Sequence, residues 1–252
     1  MTDTSTDQYN ESLGIGEIIG DTFSIFVGNI PAIAILGCLP SLITLAVIGL
    51  LFGNGYLTGE IDADTSGFST LIVTILSMAA YGVTSALLVQ MAYDAKIGRP
   101  VTPARYIQPA LSSVVPIVIL TLVATIAMGI AFVALIVPGL WVYAVFSVFI
   151  PAIVIDRAGF AALGRSIALT KEYRWPIIGL TLVIWIIAAV VNLGGLFLTG
   201  LIGGGLLVNI VILSIVYGLA YSISGISVAL LYARLREIKE GASVSDLVAI
   251  FD

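Results

Sequence analysis

The sequence predicts an all-α polytopic membrane protein, with six transmembrane helices built as three hairpins and amphipathic interfacial helices on the cytoplasmic side. Three observations predict this fold. The chain of 252 residues is 60% hydrophobic but only 10% charged, whereas a soluble domain carries about 25% charged residues. The uncharged residues form four long runs, and the positive charges occupy only some of the segments between them. Lipid must therefore cover much of the surface.

The four uncharged runs predict the number of spans. They cover 22–59, 65–93, 106–155 and 175–233, and are 38, 29, 50 and 59 residues long. One span needs about 20 apolar residues, so the first two runs hold one span each and the last two hold two each. We expect a mobile polar N-terminus at 1–13, a six-helix transmembrane domain at 14–241 and a short amphipathic C-terminal tail at 242–252. The spans are expected at about 30–53, 68–93, 114–137, 140–155, 176–199 and 206–233.

The positive charges predict the orientation. With six spans, every Lys and Arg follows span 2, span 4 or span 6, and the three opposite connections hold none. Positive charge is retained in the cytoplasm, so both termini are expected there. A chain with five or seven spans would scatter the same charges on both sides. The positive residues are Lys96, Arg99, Arg105, Arg157, Arg165, Lys171, Arg174, Arg234, Arg236 and Lys239.

Interfacial segments are predicted next to the outgoing spans. At 15–26 the apolar residues recur at helical spacing, which is typical of a helix lying flat in the membrane interface. The segment 156–175 has the same character. Pro31, Pro116 and Pro176 each stand where an interfacial segment meets an outgoing span, and the first turn of a helix suits proline because its missing N–H would be unpaired there. The pattern indicates either a triplicated hairpin unit or the common use of proline at helix starts.

Prolines are also expected to interrupt two spans. Pro40 should kink span 1, because its ring frees a carbonyl that then needs another donor. Pro138 and Gly139 form a strong breaker pair, which is expected to end span 3. Span 4, from Trp141 to Ile155, is then only about 24 Å long. Either the bilayer thins there or the Pro-Gly turn lies inside the outer leaflet.

The composition excludes most catalytic and metal-binding chemistry. The chain has no histidine, so Ser-His and Cys-His sites and His-ligated zinc or haem are excluded. Cys38 has no base beside it, and no Asp or Glu lies within a span. We therefore predict no catalytic residue, no cofactor and no metal site. The acidic loop of Glu60, Asp62 and Asp64 could bind a divalent cation, but a solvated loop explains it better. The net charge of −5 argues against nucleic acid as a partner.

Three groups of residues are candidates for binding or packing. Arginines beside the second interfacial segment could contact the headgroups of anionic lipids. Amides in or near the spans could form interhelical hydrogen bonds or contact a substrate, and we favour the hydrogen bonds. Small residues at helical spacing let helices approach closely, within the monomer rather than across a dimer. The candidates are Arg157, Arg165 and Arg174 for lipid, Asn192, Asn209 and Gln90 for intramembrane polar contacts, and Ser214, Gly218, Ser222, Gly200 and Gly204 for packing.

The second half of the chain carries a further pattern. It consists of a Pro-Gly pair, a short span ending near a proline, an acidic residue, an Ala-Leu-x-Arg-Ser helix and a tryptophan. Together with the N-terminal GEIIGDTFSIFVGN and the C-terminal LYARLREIKEG, this pattern resembles the YciC-like membrane proteins and the membrane domain attached to some glycerophosphodiester phosphodiesterases. The resemblance implies a six-helix bacterial or archaeal membrane domain without the histidine-containing phosphodiesterase barrel. The matching residues are Pro138, Gly139, Pro151, Asp156, Ala162, Leu163, Arg165, Ser166 and Trp175.

The predicted function is that of a non-enzymatic inner-membrane protein that organises membrane lipids or partner proteins, as a scaffold or accessory subunit. Its polar residues are concentrated at the interface, while the spans lack the buried charges that transport usually needs. The alternative is a transporter or channel for a small solute, in which Pro40, the glycines around 194–205 and the short span 4 form broken helices around a midplane site. An enzyme acting on lipid headgroups is a third hypothesis. The polar path that would favour transport consists of Asn192, Asn209, Gln90 and Thr125.

Overall fold

The computed structural model describes residues 12–58, 67–203 and 205–241. All regular structure in these ranges is helical, and six helical segments are long and apolar enough to cross a membrane. The predicted all-α fold with six spans is therefore confirmed. The N-terminal residues 1–11, the acidic loop at 59–66 and the tail at 242–252 lie outside the described residues, and so does the candidate cation site of Glu60, Asp62 and Asp64.

The described residues form the following α-helices in chain order: α1 (Ile15–Gly28), α2 (Ile30–Ile33), α3 (Leu39–Phe52), α4 (Gly55–Thr58), α5 (Gly67–Lys96), α6 (Pro103–Ser112), α7 (Val114–Ala134), α8 (Ile136–Phe146), α9 (Phe149–Val154), α10 (Ala162–Thr170), α11 (Arg174–Ile202) and α12 (Leu206–Glu240). A π-helical turn, Ala34–Cys38, joins α2 to α3, and together they form span 1. Helices α5, α7, α11 and α12 are spans 2, 3, 5 and 6, and α8 with α9 forms span 4.

A short amphipathic helix precedes each pair of spans. Helix α1 precedes spans 1 and 2, α6 precedes spans 3 and 4, and α10 precedes spans 5 and 6. The two spans of each pair pack against each other, as hairpins do. Pro31, Pro116 and Pro176 each lie in the first turn of a span, where a missing N–H costs no hydrogen bond. The recurrence of a short helix, a proline and a hairpin fits a triplicated hairpin unit, and the position of each proline fits the common use of proline at helix starts equally well.

Span 6 forms the centre of the bundle. It packs against spans 1, 2 and 5 and against α1, and 50% of its apolar window is buried, compared with 22% for span 3. The outer spans leave large aliphatic side chains uncovered, and Val133 and Leu50 are 89% and 71% exposed. Extensive apolar surface of this kind is typical of a protein that hydrocarbon surrounds. The exposed faces of the bundle therefore agree with lipid as the solvent.

Span 1 changes its helix type just before Pro40. The turn Ala34–Cys38 is π-helical, because Pro40 has no N–H to donate to Leu36 and its ring would crowd that carbonyl. Ser41 donates its hydroxyl to the Gly37 carbonyl at 3.0 Å. A carbonyl of the irregular turn thus receives a donor from within the span, which matters because no water is available in the bilayer core.

The junction between spans 3 and 4 comes earlier in the chain than the sequence predicts. One extended residue, Leu135, separates the two spans. Pro138 and Gly139 consequently lie in the first turn of span 4, where proline is tolerated, and they do not end span 3. Gly139 is needed there because an added Cβ would collide with the Phe132 ring of span 3. Span 4 is therefore 19 residues long rather than confined to 140–155.

Span 4 is also broken in its second half. Helix α8 ends at Phe146 and α9 begins at Phe149, so carbonyls before the break lose their helical donors. Ser166 of α10 donates its hydroxyl to the Val145 carbonyl at 2.7 Å. Such a substitute donor is required because irregular backbone at membrane depth must be satisfied by protein groups. The Ala-Leu-x-Arg-Ser helix therefore supports the broken span.

Candidate functional site

The positive side chains gather at one end of the bundle, which we name the charged end (residues 96–105, 156–174 and 234–240). Four of its ion pairs join segments that are far apart in the sequence, and the pair of Arg236 with Asp156 ties the second hairpin to the third. Arg234 also donates to the Ser12 carbonyl at 3.3 Å, which places both described chain ends at this end. The ion pairs among the described residues include Lys96–Asp21, Arg165–Asp156, Arg165–Glu240, Arg236–Asp156, Arg236–Glu240, Arg234–Glu237 and Lys239–Glu172.

Asp156 is the centre of the largest group of these contacts. Its carboxylate accepts hydrogen bonds from Arg165 Nε at 2.8 Å, from Arg236 Nη1 at 3.1 Å and from the Tyr232 hydroxyl. Glu240 accepts from both arginines. The hydrogen bond to Glu240 is the strongest of the contacts that raise the pKa of Arg165, so this guanidinium stays charged at physiological pH. We name these five residues the Asp156 cluster; it fastens the end of span 4 and α10 to span 6.

A second tether holds α6 against span 2. Gln90 donates to the Ala86 and Tyr106 carbonyls, both at 3.1 Å. The Tyr106 hydroxyl donates to Asp94 Oδ2 at 2.6 Å. Burial, and then the hydrogen bond to Asp94, raises the pKa of Tyr106, so its phenol remains a donor. Gln90 therefore acts as a link between two helices.

The two candidate asparagines lie in different surroundings. Asn209 of span 6 donates from Nδ2 to Oδ1 of Asn54 at 2.9 Å, and this bond joins span 6 to the turn after span 1. Asn192 of span 5 donates to the Ala188 carbonyl of its own helix at 2.7 Å, and its side chain lines a cavity. The structure therefore does not bring Asn192, Asn209 and Gln90 together into one polar path.

The three arginines predicted to contact lipid also lie in different surroundings. Arg165 belongs to the Asp156 cluster, where two carboxylates hold it. The guanidinium of Arg174 lies over the Trp141 ring, 5.1 Å from its centroid. Arg157 is exposed, and it takes part in none of the ion pairs among the described residues. Of the three, Arg157 is the one placed to meet an external anion.

Arg157 lines a polar pocket of about 500 Å³ at the charged end. Gln108, Ser112 and Ser113, from the junction of α6 with span 3, line the same pocket. The Ser113 hydroxyl does not cap the first turn of span 3. We name this space the Arg157 pocket; it combines one guanidinium with hydroxyl and amide groups, the chemistry that recognises a phosphate group.

The small residues of span 6 pack within the monomer. A Cβ at Gly218 would lie 2.7 Å from Cys38 Cα, so the π-helical turn of span 1 touches span 6 through backbone. Ser214 and Ser222 are buried and donate to carbonyls of their own helix at 2.8 and 2.7 Å. Gly200 has no atom of the described residues within 4 Å of an added Cβ. Gly204 lies outside the described residues.

Two adjoining cavities open between the hairpins. The first has a volume of about 440 Å³ between spans 2, 3, 4 and 6, and the second about 330 Å³ between spans 2, 4, 5 and 6. Tyr81, Tyr143 and Ser147 line both. Thr125 lines the first cavity and Asn192 the second. Side chains without charge line both cavities, so the spans enclose space that is apolar with hydroxyl groups in its walls.

Several of these features have little signal in the sequence. The sequence does not predict helix α6, although Tyr106 and Ala110, the side chains it buries, stand four residues apart. The local sequence does not indicate that Asp156 is the shared acceptor of this cluster, because it shows only a single acid after a span. Among the described residues, no three His, Cys, Asp or Glu side chains come together as metal ligands.

Comparisons with known proteins add no relative: no family model, no curated protein and no solved structure matches this chain.

Proposed function

We propose that this chain is a non-enzymatic membrane protein that organises anionic lipids, and with them a membrane-protein partner, at its charged end. That end would face the cytoplasm of a bacterial or archaeal cell, because positive charge is retained there. As part of the same proposal, we infer that the chain is related to the YciC-like membrane domains that it resembles.

The Arg157 pocket is the observation that carries this proposal. Five of the ten positive side chains have partners in the ion pairs of the charged end, whereas Arg157 is exposed beside hydroxyl and amide groups. A lipid phosphate presents one negative charge and several acceptor oxygens, so it complements such a pocket. A soluble phosphate would not explain the exposed apolar side chains on the segments that line the pocket.

Those apolar side chains lie on the helices that border the pocket. Leu111 of α6, Val115 of span 3 and Phe160, just before α10, are 60%, 63% and 60% exposed. Contact of these side chains with acyl chains is favourable, whereas their exposure to water is unfavourable. A guanidinium in a pocket whose lining segments also carry exposed apolar side chains therefore matches a lipid with an anionic headgroup.

The experiment is lipid retention in nanodiscs that contain equal amounts of phosphatidylglycerol and phosphatidylcholine. Native mass spectrometry of the released protein should show retained phosphatidylglycerol for the wild type. Arg157→Gln should lower that retention about fivefold, since one cation near the surface contributes about 1 kcal/mol. Arg157→Lys should keep part of the phosphatidylglycerol retention, because lysine preserves the positive charge. Lys171→Gln removes an exposed charge of the same end outside the pocket and should change little; equal losses in Arg157→Gln and Lys171→Gln would refute the proposal.

The alternative is a transporter or channel for a small uncharged solute, and the broken span 4 favours it. Ser147 stands at the break and lines both cavities, and broken helices commonly border transport sites. Proteoliposomes should then swell faster in glycerol than empty liposomes, and Ser147→Trp should abolish the difference. Swelling at the rate of empty liposomes would count against this alternative.

A further inference from the structure

Two buried hydroxyl groups in the wall of the first cavity lack a hydrogen bond of normal geometry among the described residues. Thr121 of span 3 and Ser85 of span 2 are 8% and 3% exposed, and neither hydroxyl forms such a bond with any described residue. The Tyr81 hydroxyl is close enough to Ser85 to form a weak hydrogen bond, so Thr121 has the greater need of a partner. Both residues line the cavity of about 440 Å³. The Thr84 hydroxyl is also unpaired within the described part of the chain, but Thr84 does not line the cavity.

Unpaired hydroxyls are unusual in these spans. Ser and Thr within a membrane helix normally donate to a carbonyl one turn earlier, and Ser41, Thr44 and Ser222 do so here at 2.7–3.0 Å. A buried hydroxyl without a partner loses its hydration and receives nothing in return. Thr121 and Ser85 therefore lack acceptors that a bound molecule could supply.

Two tyrosines contribute to the wall that the two cavities share. Tyr81 packs edge to face against Tyr221, with ring centroids 5.3 Å apart, and Tyr143 packs in the same way against Trp185 at 4.9 Å. These pairs join spans 2 and 6 and spans 4 and 5. Edge-to-face pairs hold rings in defined orientations and leave other ring faces and edges for a further ring.

We propose that the two cavities form one binding site for an uncharged, largely apolar molecule with a planar ring that carries carbonyl oxygens. The ring lies against Tyr81 and Tyr143, and the carbonyl oxygens accept hydrogen bonds from Thr121 and Ser85. Both cavity volumes lie within the range of small-molecule sites, about 300–1,000 Å³. A charged ligand is excluded because no charged side chain among the described residues lines either cavity. This site is separate from the Arg157 pocket, so either proposal can fail without the other.

Three related probes test the site: 9,10-anthraquinone, anthracene, which lacks the oxygens, and anthraquinone-2-sulfonate, which is charged. Binding to the full chain in nanodiscs is measured by equilibrium dialysis, with empty nanodiscs subtracted. Anthraquinone should bind at least about fivefold more tightly than anthracene, the effect of one hydrogen bond, and the sulfonate should not bind. Equal binding of anthraquinone and anthracene would mean that the cavities hold only hydrocarbon, such as a lipid chain, and would overturn the proposal.

Two variants identify the donor. Thr121→Val should reduce anthraquinone binding about fivefold and leave anthracene binding unchanged, while the apo protein unfolds at the same or a higher temperature because an unpaired buried hydroxyl has been removed. Thr44→Val is the matched control outside the cavities and should bind both probes as the wild type does. Ser85→Ala provides the same test on the second hydroxyl if Thr121→Val does not fold. Unchanged anthraquinone binding in the variant tested would refute the assignment.

Discussion

Asp156 receives more hydrogen bonds than the single acid after span 4 would suggest. Its side chain is 17% exposed and that of Arg236 11%, so both charges are largely removed from water. A buried ion pair contributes little compared with an apolar replacement, but removing one partner leaves a desolvated charge behind. The cluster therefore makes Asp156 a structural residue that fixes span 4 against span 6.

Asp156→Asn should lower the free energy of unfolding by about 2–4 kcal/mol, because two guanidiniums lose their shared countercharge and Arg165 is only partly buried. The measurement is unfolding in mixed micelles with increasing dodecyl sulfate. Glu237→Gln is the matched control: its pair with Arg234 has a carboxylate that is 48% exposed, so the loss should stay under about 1 kcal/mol. Similar losses for both variants would contradict the structural role of Asp156.

At the scale of whole helices, span 1 and span 6 make the closest backbone contact among the candidate packing residues. The π-helical turn widens span 1 where Gly218 removes a side chain from span 6, so that the two backbones meet. Close approach of this kind replaces the hydrophobic driving force that helices lack in lipid. The sequence marked Gly218 as a packing residue, but not its partner Cys38, whose contact depends on the register between two helices.

Gly218→Ala should destabilise the protein by about 1–3 kcal/mol, because the new Cβ forces apart a contact with backbone atoms. Gly200→Ala should be neutral or slightly stabilising, since an added Cβ there meets no described atom and alanine has the higher helix propensity. Thermal unfolding in one detergent compares the two directly. A smaller loss of stability in Gly218→Ala than in Gly200→Ala would show that spans 1 and 6 do not touch as described.

Across the whole molecule, one-sided charge predicts the topology. In a Cys38→Ala background, Asp62→Cys and Lys171→Cys should react with a membrane-impermeant maleimide from opposite sides of sealed vesicles, with Lys171→Cys on the cytoplasmic side. The expectation follows from the retention of positive charge in the cytoplasm. Labelling of both cysteines from the same side would disprove the six-span topology.

Some features of the molecule follow from short stretches of the chain. Six spans, helical structure and charge at one end could be predicted because a bilayer requires about 20 apolar residues per span and retains cations on one side, and each requirement acts on one segment at a time. The sequence predicts the start of span 4 too late because the Pro-Gly pair marks a turn or a first helical turn equally well. It does not predict helix α6 because the apolar face of this helix is short and the helix contains Pro109.

The sequence by itself determined the membrane class, the number of spans and the absence of histidine chemistry, since composition and local patterns suffice for these. Only the tertiary structure decided that Arg157 lines a polar pocket while Arg165 is held by two carboxylates, and which hydroxyls line a cavity. Asp156 and Arg236 are 80 residues apart, and each cavity has walls from four spans. Such contacts depend on how helices rotate and register against one another, and no single segment contains that information.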